Sequence, residues 1–305
     1  MSALGRLASG APVPVCAAVG AGCLDAVERL LARPELARAA SPRHAAILLV
    51  AGAVPEDRSE ALDRLHDQVP PPRRVVRWDG AGDPEPEMRE AWHALCSGDE
   101  GAPDRCPDAP PNPWRGRGDH GQGGEGMMGG VPYGRPMAMT GADIRDGLQL
   151  DRYTARIGPF APMLPPGLEL EATFQGDVIV ACAVRAAPFE QPRAADAPEL
   201  CAARMLRLLG LDLAADRIVA GRAARAPFAT AAVPPGLALL EGAGDARARL
   251  HGWLRGRPCA AGPGLFETLP GLDWAEAALA LASVAPSDLR SDAGRALARQ
   301  RENEE

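Results

Sequence analysis

The chain has 305 residues, enough for two domains at the usual ~100–200 residues each. Apolar residues make up 46% and charged residues 24%, which excludes a wholly disordered chain; Gly and Pro, 34 and 31 residues, predict long irregular connections. The net charge is −7, and all 33 basic residues are Arg in no basic cluster, a poor composition for binding nucleic acid.

The N-terminus carries Arg6 and no apolar core of a signal peptide, and the tail 1–11 is expected to precede the first domain. The longest apolar run, His44 to Val54, is far shorter than the ~20 residues of a membrane-spanning helix. A cytoplasmic location is the resulting expectation. Seven Cys at irregular spacing argue against a disulfide framework.

Residues 12–106 read as α/β. Val13–Ala18 is an apolar strand followed by the loop Gly20–Gly22. Leu24, Val27, Leu30 and Leu31 have helical spacing, Asp25 suits the helix dipole, and Pro34 stops the helix. Ala45–Val50 is continuously apolar, as in a strand buried on both faces of a parallel sheet. Glu56–Val69 is an amphipathic helix ended by Pro70-Pro71-Pro72. Arg74–Trp78 is the next strand and Glu87–Leu95 a further helix. The alternation predicts a doubly wound parallel sheet of flavodoxin-like type. Ligands in such sheets bind beyond the carboxyl ends of the strands. Here that edge carries the loops Val19–Cys23, Ala51–Glu56 and Asp79–Pro84.

Residues 107–148 are Gly- and Pro-dense and read as a linker, with few apolar side chains to offset the entropy of ordering. The competing reading is metal capture by His120, Met127, Met128, Met137 and Met139, all donors suited to soft metals. Residues 149–300 read as an α+β domain. Leu168–Phe174 alternates at period two, Gln175-Gly176-Asp177 turns, and Val178–Val184 returns as a β-hairpin. Helices are expected at Pro198–Leu209, Asp245–Leu254, Trp274–Val284 and Ser287–Arg301, the last capped by Ser287 or Asp288. The charged tail 301–305 is expected to fray.

Ser41-Pro42-Arg43-His44-Ala45, then Ile47–Val50, Gly52, and Leu65-His66-Asp67-Gln68-Val69-Pro70 with Arg73 beyond, form one ordered pattern. It resembles the 20-kDa subunit of NADH:quinone oxidoreductase and the small subunit of membrane-bound nickel–iron hydrogenases. The resemblance covers about residues 12–82, roughly a quarter of the chain. It implies one [4Fe–4S] cluster on four converging Cys thiolates. Carried over residue by residue, Cys23 matches one ligand position, its close partner falls near Gly20, and the third falls on Ala81. Cys16 lies upstream in the first strand, and Cys106-Pro107 imitates the fourth position without the preceding Gly. Cys16, Cys23 and Cys106 are therefore the remnants of a cluster site, and no intact cluster is expected. Read from the residues, Cys16 and Cys96 are small buried apolar groups. Cys23 at a helix start is a candidate reactive thiol of lowered pKa.

Gly158-Pro159-Phe160-Ala161-Pro162 and Gly167–Ile179 resemble the opening hairpin of the partner 49-kDa subunit, or hydrogenase large subunit. There a His-bearing loop helps line the quinone or active-site cavity; here the loop holds Phe160 and Ala161. The resemblance implies a subunit of a complex-I-like or hydrogenase-like assembly, touching the membrane only through partner subunits, peripheral at the inner face. Either it is a cluster-free structural or assembly paralogue, or it is an electron-transfer subunit with a remodelled cluster. A stand-alone small-molecule binder at the sheet edge is a third reading.

Other catalytic signatures are missing. There is no phosphate-binding Gly-rich loop with Lys, no Gly-x-Ser-x-Gly elbow and no His-Glu-x-x-His helix. Gly20-Ala21-Gly22 lacks the third Gly of a dinucleotide turn. His44 is expected to be hydrogen-bonded and half-buried, and Asp67 with Arg73 to pair or cap.

Overall fold

The computed structural model describes residues 8–106, 139–140, 150–162, 164–222, 230–231, 233–257 and 264–304. The first half is a four-stranded parallel sheet in the order β2-β1-β3-β4. Its strands are β1 (Val13–Val19), β2 (Leu36–Arg38), β3 (Ile47–Ala51) and β4 (Arg74–Trp78). The central strand β3, Ile-Leu-Leu-Val-Ala, is buried at every position because helices cover both faces of the sheet. Successive side chains of a strand point to opposite faces. Ile47, Leu49 and Ala51 accordingly pack with α1 (Leu24–Leu30) and α3 (Glu85–Cys96), whereas Leu48 and Val50 pack with α2 (Ser59–Gln68). The sheet is thus wound on both sides, as the alternation of elements predicts. The edge strand β2 was not expected. It has three residues with one buried side chain, and its signal is only backbone pairing to Val13–Val15.

The second half is an antiparallel sheet, β5-β6-β7-β8, packed on helices. β7 (Glu169–Gln175) and β8 (Val178–Ala186) form the expected hairpin around Gly176–Asp177, with Gly176 at φ +63°. β6 (Asp151–Ile157) pairs with β7, and the two-residue β5 (Met139–Thr140) pairs with β6. Leu170, Ala172 and Phe174 face the core at period two, while Glu171 faces out to Arg156 and Arg185 on the neighbouring strands. Apart from Met139–Thr140, the expected linker 107–148 and its His and Met donors lie outside the described residues.

The helices are α4 (Pro198–Leu208), α5 (Asp212–Val219), α6 (Ala246–Leu254), α7 (Trp274–Ala282) and α8 (Pro286–Glu304). Leu200–Arg207 of α4 are buried throughout, which makes it the central helix of this half. Asp245 and Asp273 cap α6 and α7, accepting from the N–H groups of Ala248 at 2.7 Å and Glu276 at 2.8 Å. The cap expected at Ser287 or Asp288 is corrected: both lie inside α8, and the Ser287 N–H is taken by Asp196 at 3.1 Å. The tail expected to fray continues α8 to Glu304. No helix among the described residues is long and apolar enough to cross a membrane.

The halves pack against each other. Gln191 accepts from the Leu24 N–H at 3.0 Å and donates to the Gly20 carbonyl at 3.0 Å. The Gly22 N–H donates to the Glu190 carbonyl at 3.0 Å. Arg207 of α4 reaches Glu28 of α1, and Arg58 pairs with Glu169 at 2.9 Å.

Candidate functional site at the carboxyl edge of the parallel sheet

The three edge loops close on one another through backbone contacts. The Gly20 N–H donates to the Ala51 carbonyl at 2.6 Å, Ala21 and Ala53 exchange a pair of hydrogen bonds, and the Gly52 N–H donates to the Trp78 carbonyl at 2.8 Å. Such close approach needs glycine. A Cβ on Gly20 would stand 2.5 Å from the Ala53 carbonyl oxygen; one on Gly52, at φ +77°, would stand 2.3 Å from that of Ala21. In the third loop the Ala81 N–H donates to Asp79 at 2.8 Å, and the Trp78 indole donates to the Ala81 carbonyl at 2.8 Å. Asp83 holds Arg33 at 2.8 Å through both oxygens.

Together these loops wall a cleft of about 810 Å³. Its charged lining is Arg77 against Asp79, Asp83 and Glu87. Cys23 forms part of the wall beside two glycines: a Cβ on Gly52 or Gly80 would lie 3.1 or 2.8 Å from its Sγ. The three loops lie together at the carboxyl edge, as the sequence predicts.

The thiol is another matter. Cys23 is 2% exposed, and burial, Asp25 and Asp79, in that order, push its pKa up. The expectation of a lowered pKa at a helix start is corrected. The helix α1 has only seven residues, its Leu24 N–H is occupied by Gln191, and its side-chain neighbours are acids.

The three cysteines expected as cluster remnants stand in three places. Cys23 packs with the α1 side of the sheet, whereas Cys16 packs with Leu48, Val50 and Leu62 on the α2 side, its pKa pushed up to about 11 by burial. Cys106 is at the amino edge, where α2 ends and β4 begins: its N–H donates to Asp67 at 2.6 Å. Burial and then Asp67 push the Cys106 thiol up. Among the described residues, no three His, Cys, Asp or Glu side chains gather in a group that could hold a metal ion. A [4Fe–4S] cluster takes four thiolates. The cleft offers one buried thiol, Cys23; Gly20 and Ala81, at two of the other positions the resemblance implies, carry no donor side chain, and this donor set does not fit the cluster.

Asp67 does pair with Arg73, at 3.7 Å, and also accepts from the Arg105 N–H and from His66 at 2.6 Å. Burial raises its carboxyl and these hydrogen bonds outweigh that, holding it well below the usual range. His44, expected to be half-buried, is exposed and bonded to Ser41 at 3.0 Å. Cys96 is only partly buried, and every described cysteine is a free thiol.

A second cleft of about 500 Å³ lies between the halves. The Gly158–Pro162 loop forms one side, with Pro42, Leu65 and Gln68 on the other. Sequence reasoning also missed the charged core at this junction. Glu28 binds Arg38 at 3.1 and 3.2 Å and binds Arg207. The available signal was an acid at position 28 inside the apolar stripe Leu24, Val27, Leu31, which only a buried partner accommodates.

Comparisons with family models, with curated proteins and with solved structures return no match to this chain.

Proposed function

We propose that the chain is a cluster-free structural or assembly paralogue of the 20-kDa subunit family, joined to a 49-kDa-like segment, in a complex-I-like or hydrogenase-like membrane oxidoreductase. The parallel domain is read as flavodoxin-like. The observation that carries the cluster-free reading is the donor set: of the matched positions Gly20, Cys23 and Ala81, only Cys23 has a thiol, and Cys106 stands at the opposite, amino edge of the sheet beside Asp67.

Support for a place in such an assembly comes from the residue resemblance and from one packing feature. The Gly158–Pro162 loop, which resembles part of one subunit, lies against Pro42 and α2, which resemble part of another. In this reading the chain keeps a docking body and carries out no redox step itself. Its partners are the other subunits, and its membrane contact runs through them at the inner face. An electron-transfer subunit with a remodelled cluster remains the competing reading, and it requires ligands beyond Cys23.

The test is purification of the tagged chain from detergent-solubilised membranes of its own host, followed by native electrophoresis and mass spectrometry. Co-migration with antiporter-like and other subunits of one membrane oxidoreductase is the expected outcome. A chain recovered as a free monomer, with no such subunits, would overturn the assignment.

A further inference from the structure

Where the halves meet, a small cavity of about 90 Å³ lies between the β1–α1 region and residues 160–166. Much of its wall is apolar, formed by Val19, Leu24, Leu31, Phe160 and Leu164. Glu28, Arg38 and Arg204 also line it.

Among the described residues the charges here do not balance. Arg38 and Arg207 share Glu28, and Arg207 also holds Asp216 at 3.0 Å. Arg204 is 4% exposed and has no carboxylate within hydrogen-bond reach among the described residues. Its Nη2 donates to the Val284 carbonyl at 3.1 Å and to Cys201 Sγ at 3.3 Å, while Nε and Nη1 meet no partner among the described residues. A guanidinium stays protonated in a protein. Among the described residues the three arginines therefore face two carboxylates, Glu28 and Asp216, and one buried positive charge is left over. A buried charge without a counter-charge is strongly unfavourable, and an anion beside it relieves that cost.

We infer that this cavity takes a small carboxylate, with its head balancing Arg204 and a short apolar tail against Phe160 and Leu164. A water molecule needs roughly 10–15 Å³, so the cavity suits a ligand of about six non-hydrogen atoms, the size of butyrate. An inorganic anion would leave the apolar wall unused. Pro42, Phe160, Ala161 and Pro162 line both this cavity and the larger cleft between the halves, so the ligand reaches it from that cleft. The inference needs only the cavity and the charge balance, and it stands or falls separately from membership in a membrane assembly.

The experiment is isothermal titration of the full-length chain with sodium butyrate, with butanamide and sodium sulfate as controls at matched ionic strength. The expected result is one saturable butyrate site, with butanamide and sulfate each weaker by about tenfold or more. Arg204→Met is expected to abolish butyrate binding. Because that variant alters a buried network, Ala161→Leu is measured as well: it keeps every charge, fills the cavity and is expected to lose butyrate binding with an unchanged circular dichroism spectrum. Absence of saturable butyrate binding would overturn the inference. So would butanamide or sulfate binding as tightly as butyrate, or Ala161→Leu binding butyrate like the native chain.

Discussion

Cys23 shows how a local rule loses to its surroundings. A thiol at a helix start is expected to ionise early, yet burial together with Asp25 and Asp79 raises its pKa. Removing one acid lowers the pKa and enriches the thiolate. Asp79→Asn is therefore expected to speed alkylation of Cys23 at pH 8 by about two- to fivefold, read by peptide-resolved mass spectrometry; an unchanged or slower rate would contradict the electrostatic account. Glu28 makes the opposite case. Burial alone would raise its pKa, but Arg38, Arg207 and Arg204 outweigh it and hold the carboxyl below its ordinary 4.5. A depressed folded pKa contributes stability above pH 4.5 and loses it as the pH falls through the folded value. Glu28→Gln is thus expected to cost about 3–5 kcal/mol at pH 7 and to flatten the decline of Tm below pH 4.5, followed by thermal unfolding across pH. Equal acid sensitivity in both proteins would count against this assignment. Sequence alone marks Glu28 as an acid in an apolar stripe. It does not show that the partner is Arg207, because the pairing spans 179 positions along the chain.

At the scale of elements, strong signals survive and weak ones do not. β3 and β4 are legible because a continuous apolar run and a Val-Val pair are bounded by turn residues. The three-residue β2 has no periodicity to read, and α5 follows α4 so closely, across Gly210 and Leu211, that its start is hidden in a turn. β6 carries a period-two pattern in Tyr153, Ala155 and Ile157, but Arg152, Thr154 and Arg156 lie between them and the run looks polar. The edge loops were legible as a candidate site because strand order alone places them. Their mutual closure was not, since it depends on backbone pairing of Ala21 with Ala53. That closure predicts that Gly52→Ala loses about 1–3 kcal/mol in urea unfolding, because the new Cβ would meet the Ala21 carbonyl at positive φ. A loss under about 0.5 kcal/mol would mean that the loops part easily.

Across the whole molecule, the contacts between halves decide whether the chain unfolds as one body. Gln191 bridges the start of α1 and the Gly20 carbonyl, and Arg207 enters the α1 side of the parallel domain. Calorimetry is therefore expected to give a single transition. Gln191→Ala, which leaves two backbone groups without a partner, is expected to lower it by about 1–3 kcal/mol of stability. Two separate transitions, with only one moved by the substitution, would show the halves to be energetically independent. The central claim, a docking body that resembles an iron–sulfur subunit without holding its cluster, has a direct test. Iron and acid-labile sulfide are measured per chain on protein purified without oxygen, with an electron paramagnetic resonance spectrum after dithionite. The account predicts values near zero from a folded chain. About four of each with a reduced-cluster signal would contradict it and assign an electron-carrying role, with ligands beyond Cys23.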